Sequence, residues 1–442
     1  MTASLQSDTP VSMSPALAAA AAPRAAGLPA WRWVHLSVAA LAMVATLPGR
    51  THGLGLITEP LLVDLKLRRV TFGEINFWAT LLGAVFCLPC GWLIDRLGIR
   101  LVLTTVLVAL GGFVLLMSQL PDVPAADDAA VTAIVLPLFA LVLLTRGLGQ
   151  SALSVVSLAL MGKAAGKRAG LPVGIYSALV AVGFMAAFSA VKFALEEGEA
   201  DWRSLWAGVG VAVISCAILA ALLVRPWVTG WATDRPNTNS ITISAHGLTF
   251  GQALLTPAFW VFALAVSFYG LVAAGVSLFN QSILEERGFD RSVFLDITRL
   301  MPLVGLASNL FTGWLATRCS MGRLLAASMV ILAGSLAAFP FVEELWHVYL
   351  YAVAMGVAGG MVTVLFFAIW GPAYGPLHLG KIQGAAQMLT VLASALGPWL
   401  LAQSKEHSGS YVLMFQVAAG VAAMFAISAW LTRVPNPEFH HA

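Results

Sequence analysis

Apolar residues run through this chain in blocks of about 20 or more, separated by short polar breaks. A helix crosses the hydrocarbon core of a bilayer when it carries about 20 mostly apolar residues, each rising about 1.5 Å. Marked out by that rule, the pattern predicts about 12 spans, centred near residues 48, 82, 110, 146, 183, 214, 270, 304, 333, 360, 392 and 421. One polar stretch is longer than the rest. It runs from Arg225 to about Pro257, holds Asp234, Pro236 and several Asn, Ser and Thr, and divides the spans six and six. The expected organisation is a disordered tail over 1–31, a six-helix bundle over 32–224, a linker over 225–257, a second bundle over 258–432 and a short tail over 433–442.

The two halves share a turn. Gly91-Trp92-Leu93-Ile94-Asp95-Arg96-Leu97-Gly98-Ile99-Arg100 links the second and third spans, and Gly313-Trp314-Leu315-Ala316-Thr317-Arg318 follows the second span of the other half. Both begin Gly-Trp-Leu and place an Arg five residues after the Gly.

Composition agrees with the pattern. The chain has 442 residues, 59% hydrophobic and 10% charged, whereas soluble domains carry about 25% charged residues. Its mean hydropathy is +0.87. The expected fold class is an all-α polytopic membrane protein, since a β-barrel would show short alternating segments instead. A net charge of +3 without a basic cluster gives nucleic acid nothing to bind. The first 30 residues lack a basic stretch leading into an apolar core, so no cleaved signal peptide is expected. Cys87-Leu88-Pro89-Cys90 lies inside a span with no partner His or Cys pair, which reads as packing and not as a metal site. No cofactor and no metal are expected.

Loop charges give an orientation. With the N-terminus inside, 13 lysines and arginines, among them Arg96, Arg100, Lys163, Lys167, Arg168, Arg318 and Arg323, fall on the side of the termini against 8 on the other, and the positive-inside rule places the richer side in the cytoplasm. The acids Asp122, Asp127, Glu196, Glu343 and Glu344 fall mostly on the other side. The expected location is a cell (inner or plasma) membrane.

Candidate chemistry lies where polar groups interrupt the spans. Arg50, Arg146 and Arg299 sit within them, and a charge at membrane depth marks a cavity or a partner. Arg146, Gln150, Ser154 and Ser157 recur at helical spacing on the fourth span, and Gln383, Gln387, Thr390 and Ser394 on the eleventh. Asn280 and Gln281 lie near the outer end of the seventh. Pro48-Gly49-Arg50-Thr51-His52-Gly53 should loosen the first helix, and broken backbone at membrane depth is tolerated where it lines a cavity. Arg50, His52, Arg146, Gln150, Asn280, Gln281, Asn309 and Gln387 are therefore the expected substrate contacts. Asp296 and Arg299, three residues apart, are expected to form an ion pair or an outer gate.

The turn at Gly91, Asp95, Arg96, Gly98 and Arg100 resembles the signature loop of the major facilitator superfamily, and the copy at Gly313 to Arg323 falls where that superfamily repeats it. Arg146, followed by Gly147 and Gly149, is similar to its fourth-helix motif. The later stretches Gly380-Lys381-Ile382-Gln383-Gly384 and Ser394-Ala395-Leu396-Gly397-Pro398 look like the bacterial monocarboxylate and oxalate/formate porters. Asn309 stands where those porters usually carry an arginine. The resemblance implies two six-helix halves that rock about a central cavity, with Gly91, Asp95, Arg96, Gly98, Arg100, Gly313 and Arg318 as gating residues. It further implies that Gly91 lets the second helix approach the eleventh, and that Asp95 lies near the N-terminus of the eleventh.

The expected function is secondary transport of a small organic anion, since two mid-membrane arginines suit a carboxylate. Export of amphipathic compounds is the alternative. No Walker motif and no acid–histidine cluster suggests an enzyme. Partners are then the small-molecule substrate, the lipid bilayer and, where transport is proton-coupled, protons carried by His52, Glu59, Glu74 or Asp296. The chain is expected to act as a monomer.

Overall fold

In the computed structural model, the described residues are 29–123, 128–165, 170–196, 201–225 and 247–435. The expected tail lies outside them up to residue 28, and its last two residues, Ala30 and Trp31, instead open the first helix; most of the linker over 225–257 also lies outside them. Among the described residues, twelve helices are long and apolar enough to cross a membrane: α1 (Ala30–Gly49), α2 (Thr71–Leu97), α3 (Ile99–Ser118), α4 (Ala133–Ala165), α5 (Leu171–Val191), α6 (Trp202–Leu223), α7 (Pro257–Glu285), α8 (Ser292–Leu315), α9 (Met321–Phe341), α10 (Leu345–Tyr374), α11 (Leu379–Ser408) and α12 (Val412–Leu431). Among the described residues there is no strand. Twelve crossings return the chain to the side on which it began, called here the terminal side.

The helices form two six-helix bundles of matching layout. In the first, α3 packs on α6 and α1 on α4 and α5; in the second, α9 packs on α12 and α8 on α10. The bundles meet along two seams, α2 against α11 and α5 against α8. Large apolar side chains left exposed, such as Leu136, Leu222, Trp399, Ile427 and Trp430, are the surface that lipid would cover.

The first span is broken as its Pro and Gly residues predict. The α-helix ends at Val44, a single 3₁₀ turn covers Leu47–Gly49, and Arg50 is extended at φ −94°, ψ 152°. Short helices then cover Thr51–Gly55 and Thr58–Asp64. The break is held by α4. A side chain at Gly49 would run into the Thr145 carbonyl and come within 2.8 Å of Gly149 Cα, so only paired glycines let these backbones touch. Beside this contact α4 loosens into a π-helix over Arg146–Leu153.

The side away from the termini is tied by two acid-centred clasps. In the first bundle, Trp202 Nε1 donates to Asp64 Oδ2 at 2.7 Å. Arg203 pairs with Asp64 and with Asp122 and donates through Nε to the Leu120 carbonyl. In the second, Glu286 accepts from Lys405 Nζ at 2.6 Å and from the Ser410 hydroxyl and the Tyr411 amide. Each clasp adds a cation over an aromatic ring, Arg203 on Trp202 at 4.5 Å and Lys405 on Tyr411 at 5.1 Å. The Trp202 bond, helped by Arg203, holds the Asp64 carboxyl below the usual carboxylate range. For Glu286, partial burial pushes upward, but the bonds from Lys405, Ser410 and Tyr411 outweigh it and the net shift is downward. A depressed folded-state value means stability present above the unfolded pKa and lost as pH falls through the folded one. Melting temperature should therefore hold from neutral pH to about 5 and decline below about 4. Arg203→Met should lower it at pH 7 and flatten that decline, as read by differential scanning fluorimetry in detergent.

Candidate functional site

The guanidinium of Arg50 projects from the break in α1. Its Nε donates to Thr46 Oγ1 at 2.7 Å, and Nη2 meets Ser154 Oγ at 3.3 Å and Met43 Sδ at 3.1 Å. The Phe184 ring on α5 lies beneath its Cζ at 5.2 Å. No carboxylate pairs with it, and Nη1 has no hydrogen-bond partner among the described residues. Arg50 is half-buried, and an arginine keeps its charge under nearly all conditions. The result is a cation at mid-span with one nitrogen to spare.

Arg146 has a different occupation. It is 2% exposed, and its Nη2 donates to Asn76 Oδ1 at 2.8 Å. Its Nη1 reaches Gln150 Oε1 at 3.1 Å and the Gly49 carbonyl at 3.4 Å. That carbonyl faces outward because the helix breaks there. Arg146 thus ties α2, α4 and the break in α1 together, and Gln150 is its partner.

Behind Arg50, the Ser157 hydroxyl donates to the Ala39 carbonyl at 2.6 Å. Its single proton is spent there, so Tyr176 is the donor in the 2.7 Å contact between the two hydroxyls. These bonds join α1, α4 and α5 next to the site. Ser154, Thr46 and Phe184 were not among the expected contacts. Thr46 stands four residues before Arg50, which was a legible signal; Phe184 had none.

The other expected contacts are scattered. Gln387 is buried on α11. Asn280 on α7 and Asn309 on α8 are buried with Oδ1 unpartnered among the described residues. Gln281 turns to Glu285 at 2.7 Å. The side chains of His52 and Glu59 lie outside the described residues, and Glu74 is exposed. Of the two roles expected for Asp296 and Arg299, the ion pair does not form: both side chains are exposed and do not pair with each other. Exposed charges gain little from pairing in water; Tyr349 donates to Asp296 at 3.5 Å.

The repeated turns sit at the terminal ends of the two seams. A side chain at Gly91 would meet the Gly380 carbonyl, and one at Gly174 would come within 3.0 Å of Gly313 Cα. Asp95 accepts from the backbone N–H groups of Gly380 and Lys381, each at 3.2 Å, at the first turn of α11, where an anion is favoured. Lys163 of α4 is within electrostatic reach of the same carboxylate, a neighbour that sequence reading missed. In the second copy the Thr317 hydroxyl donates to the Trp314 carbonyl of its own helix, and among the described residues it has no bond to the other bundle. Arg96 lies over Trp92 at 4.8 Å and Arg318 over Trp314 at 4.2 Å, the same stack in both halves. Gly98 has φ +85°, which glycine adopts without strain, and Arg100 is exposed. One turn deeper in each seam lies a buried amide, Asn309 on α8 and Gln383 on α11; Gln383 Nε2 reaches the Leu158 carbonyl at 3.4 Å. Tyr176 packs edge-on against Phe367 of the other bundle at 5.0 Å.

Twelve spans in two matched bundles, seams closed at the repeated turns and a charged group at mid-span define a polytopic transporter architecture. The model of the Major Facilitator Superfamily matches residues 49–398, and the chain belongs to that superfamily. No curated protein matches the sequence. Among solved structures, the proton:xylose symporter XylE is similar with TM-score 0.67 and 14% identity, over 92% of this chain and 96% of that one. The E. coli fucose:proton symporter FucP is similar with TM-score 0.63 and 13% identity, over 91% and 98%. The human organic anion transporter MFSD10 (TETRAN) is similar with TM-score 0.60 and 13% identity, over 90% and 97%. At these identities the likeness is one of fold.

Proposed function

We propose that this multi-pass membrane protein is a secondary transporter that carries a small organic anion by alternating access, with Arg50 as the seat of the anion. The observation that carries the reading is the Arg50 guanidinium, charged at mid-span, with no carboxylate partner among the described residues and with Nη1 to spare. An isolated charge is costly in a low-dielectric interior, and an anionic substrate removes that cost while it is bound. One protein of similar fold, MFSD10, is an organic anion transporter. Arg146 supports the site by fixing the break from which Arg50 projects.

The terminal side is cytoplasmic in this proposal, in keeping with its arginine-rich loops. Contacts between the bundles gather at that side, the arrangement expected of an outward-facing state; a structure of FucP in the outward conformation is similar with TM-score 0.63. Gly91, Asp95 and Gly380 on one seam, and Gly174 and Gly313 on the other, form the inner gate. The energy source is a proton gradient, as in the two proton symporters of similar fold named above.

The test is uptake into proteoliposomes of labelled small carboxylates and of their uncharged amides, with and without an imposed pH gradient. Saturable uptake of a carboxylate, raised by inside-alkaline vesicles and absent for the amide, is the expected result. Equal uptake of acid and amide would overturn the anion reading, and indifference to pH would overturn the coupling.

A further inference from the structure

We infer that the Arg50 site admits a substrate with one carboxylate and a flat apolar body, an aryl or arylalkyl monoanion in chemical class, and discriminates against dianions. The inference rests on the reading of Arg50 as anion seat and specifies what that seat accepts.

A guanidinium has five N–H bonds, one on Nε and two on each Nη. In Arg50 the Nε hydrogen goes to Thr46, and the two Nη2 hydrogens face Met43 Sδ and Ser154 Oγ. Only the Nη1 pair remains. A two-pronged grip on a carboxylate needs hydrogens on two neighbouring nitrogens, so this seat binds end-on through Nη1 alone. It holds one carboxylate.

A second carboxylate would need a second cation at the same depth. Arg146 is the arginine at hand, and it is committed to Asn76, Gln150 and the Gly49 carbonyl while only 2% exposed. Recruiting it would undo the bonds that hold the break in α1. The second charge of a dianion would lie unpaired in an apolar interior, which is disfavoured.

The body of the substrate meets aromatic surface. Phe184 lies against the guanidinium, and Phe188, one turn further along α5, stands nearly parallel to it at 28° with ring centroids 6.1 Å apart. Both rings are half-buried, with surface left to cover. Gly183 packs against Val44 of α1, which brings this face of α5 up to the break. A planar arene gains from such rings beyond its buried area, by about two- to tenfold in affinity.

The experiment is binding by thermal shift and isothermal calorimetry to the purified full chain, with four probes: benzoate, cyclohexanecarboxylate, terephthalate and benzamide. Benzoate should bind most tightly, cyclohexanecarboxylate about two- to tenfold more weakly and terephthalate at least about tenfold more weakly. Phe184→Leu, with Phe188→Leu as the second variant, should erase the preference for benzoate over cyclohexanecarboxylate and keep that over terephthalate. Terephthalate binding as tightly as benzoate would overturn the single-seat argument and make Arg146 a second seat. Equal binding of the two monocarboxylates, or no binding by any probe, would overturn the aryl class while leaving aliphatic carboxylates to the uptake assay. Benzamide binding as tightly as benzoate would overturn the anion reading itself, a separate failure.

Discussion

Replacing Arg50 with alanine is expected to abolish saturable anion uptake with little loss of stability, and replacing Arg146 is expected to do the opposite first. Truncating one partner of a buried charge pair costs about 2–5 kcal/mol of binding, and every 1.4 kcal/mol is a factor of ten. Arg50→Ala should therefore weaken uptake at least about thirtyfold. The bonds it gives up in the empty protein go to Thr46, Ser154 and a thioether, all neutral groups. Its melting temperature should stay close to that of the parent. Arg146→Ala strands the Asn76 amide oxygen, the Gln150 amide oxygen and the Gly49 carbonyl around an empty volume. Each acceptor left unsatisfied in a buried place costs about 1–3 kcal/mol. That variant should melt several degrees lower and lose transport because α1, α2 and α4 are no longer held together. Uptake and melting curves measured on both variants distinguish the roles. Normal stability of Arg146→Ala together with lost uptake would return that arginine to the substrate.

The second large effect is expected at Gly91. A side chain there meets the backbone of the other bundle, the Gly380 carbonyl and, at 3.2 Å, Lys381 Cα. Backbone cannot step aside as a side chain can. Overpacking of this kind costs about 1–3 kcal/mol, and it is felt only when the seam is closed. Gly91→Val should shift the population toward the form open on the terminal side by about thirtyfold for a cost near 2 kcal/mol. Turnover should fall in proportion as the cycle stalls at one end. Gly73, on the same helix with nothing within 4 Å of its would-be side chain, is the control, and Gly73→Ala should leave transport intact. The readout is alkylation of Gln383→Cys, buried in the seam, by a membrane-impermeant maleimide. Unchanged labelling in the Gly91→Val background would show that the seam does not gate access.

Much of the architecture was legible because one physical rule dominates it. A bilayer demands long apolar helices, so each span announces itself by length, and Pro48 with Gly49 announces the break in the first. The position of Asp95 at the start of α11 followed from the resemblance of the turn. The candidate site was less legible. Depth in a span says that Arg146 needs partners but not which ones. Gln150, one turn on, was legible from its spacing; the others proved to be Asn76, far away in sequence, and a carbonyl freed only because α1 breaks at Arg50. The pair expected from the three-residue spacing of Asp296 and Arg299 did not form, since spacing along a helix places side chains nearby without making their attraction exceed the cost of ordering them. Phe184 carried no sign at all among 23 phenylalanines.

The π stretch of α4 has a consequence for how this helix is read. An α-helix closes each hydrogen bond across four residues and a π-helix across five, so the stretch from Arg146 to Leu153 works like a one-letter insertion in a reading frame. Residues before it and after it obey the same period but are out of phase. Arg146 reaches Asn76 of α2 and the Gly49 carbonyl at the break, whereas Ser157 reaches Ala39 of α1 and Tyr176 of α5, although a single period would have put the two on one line. Deleting one residue inside the stretch would restore the frame and turn the terminal half of α4 by about 100° against the rest. The bonds to Arg50, Ala39 and Tyr176 would then be lost together. Helix 4 is in this sense two words spliced out of register, and the site is written at the splice.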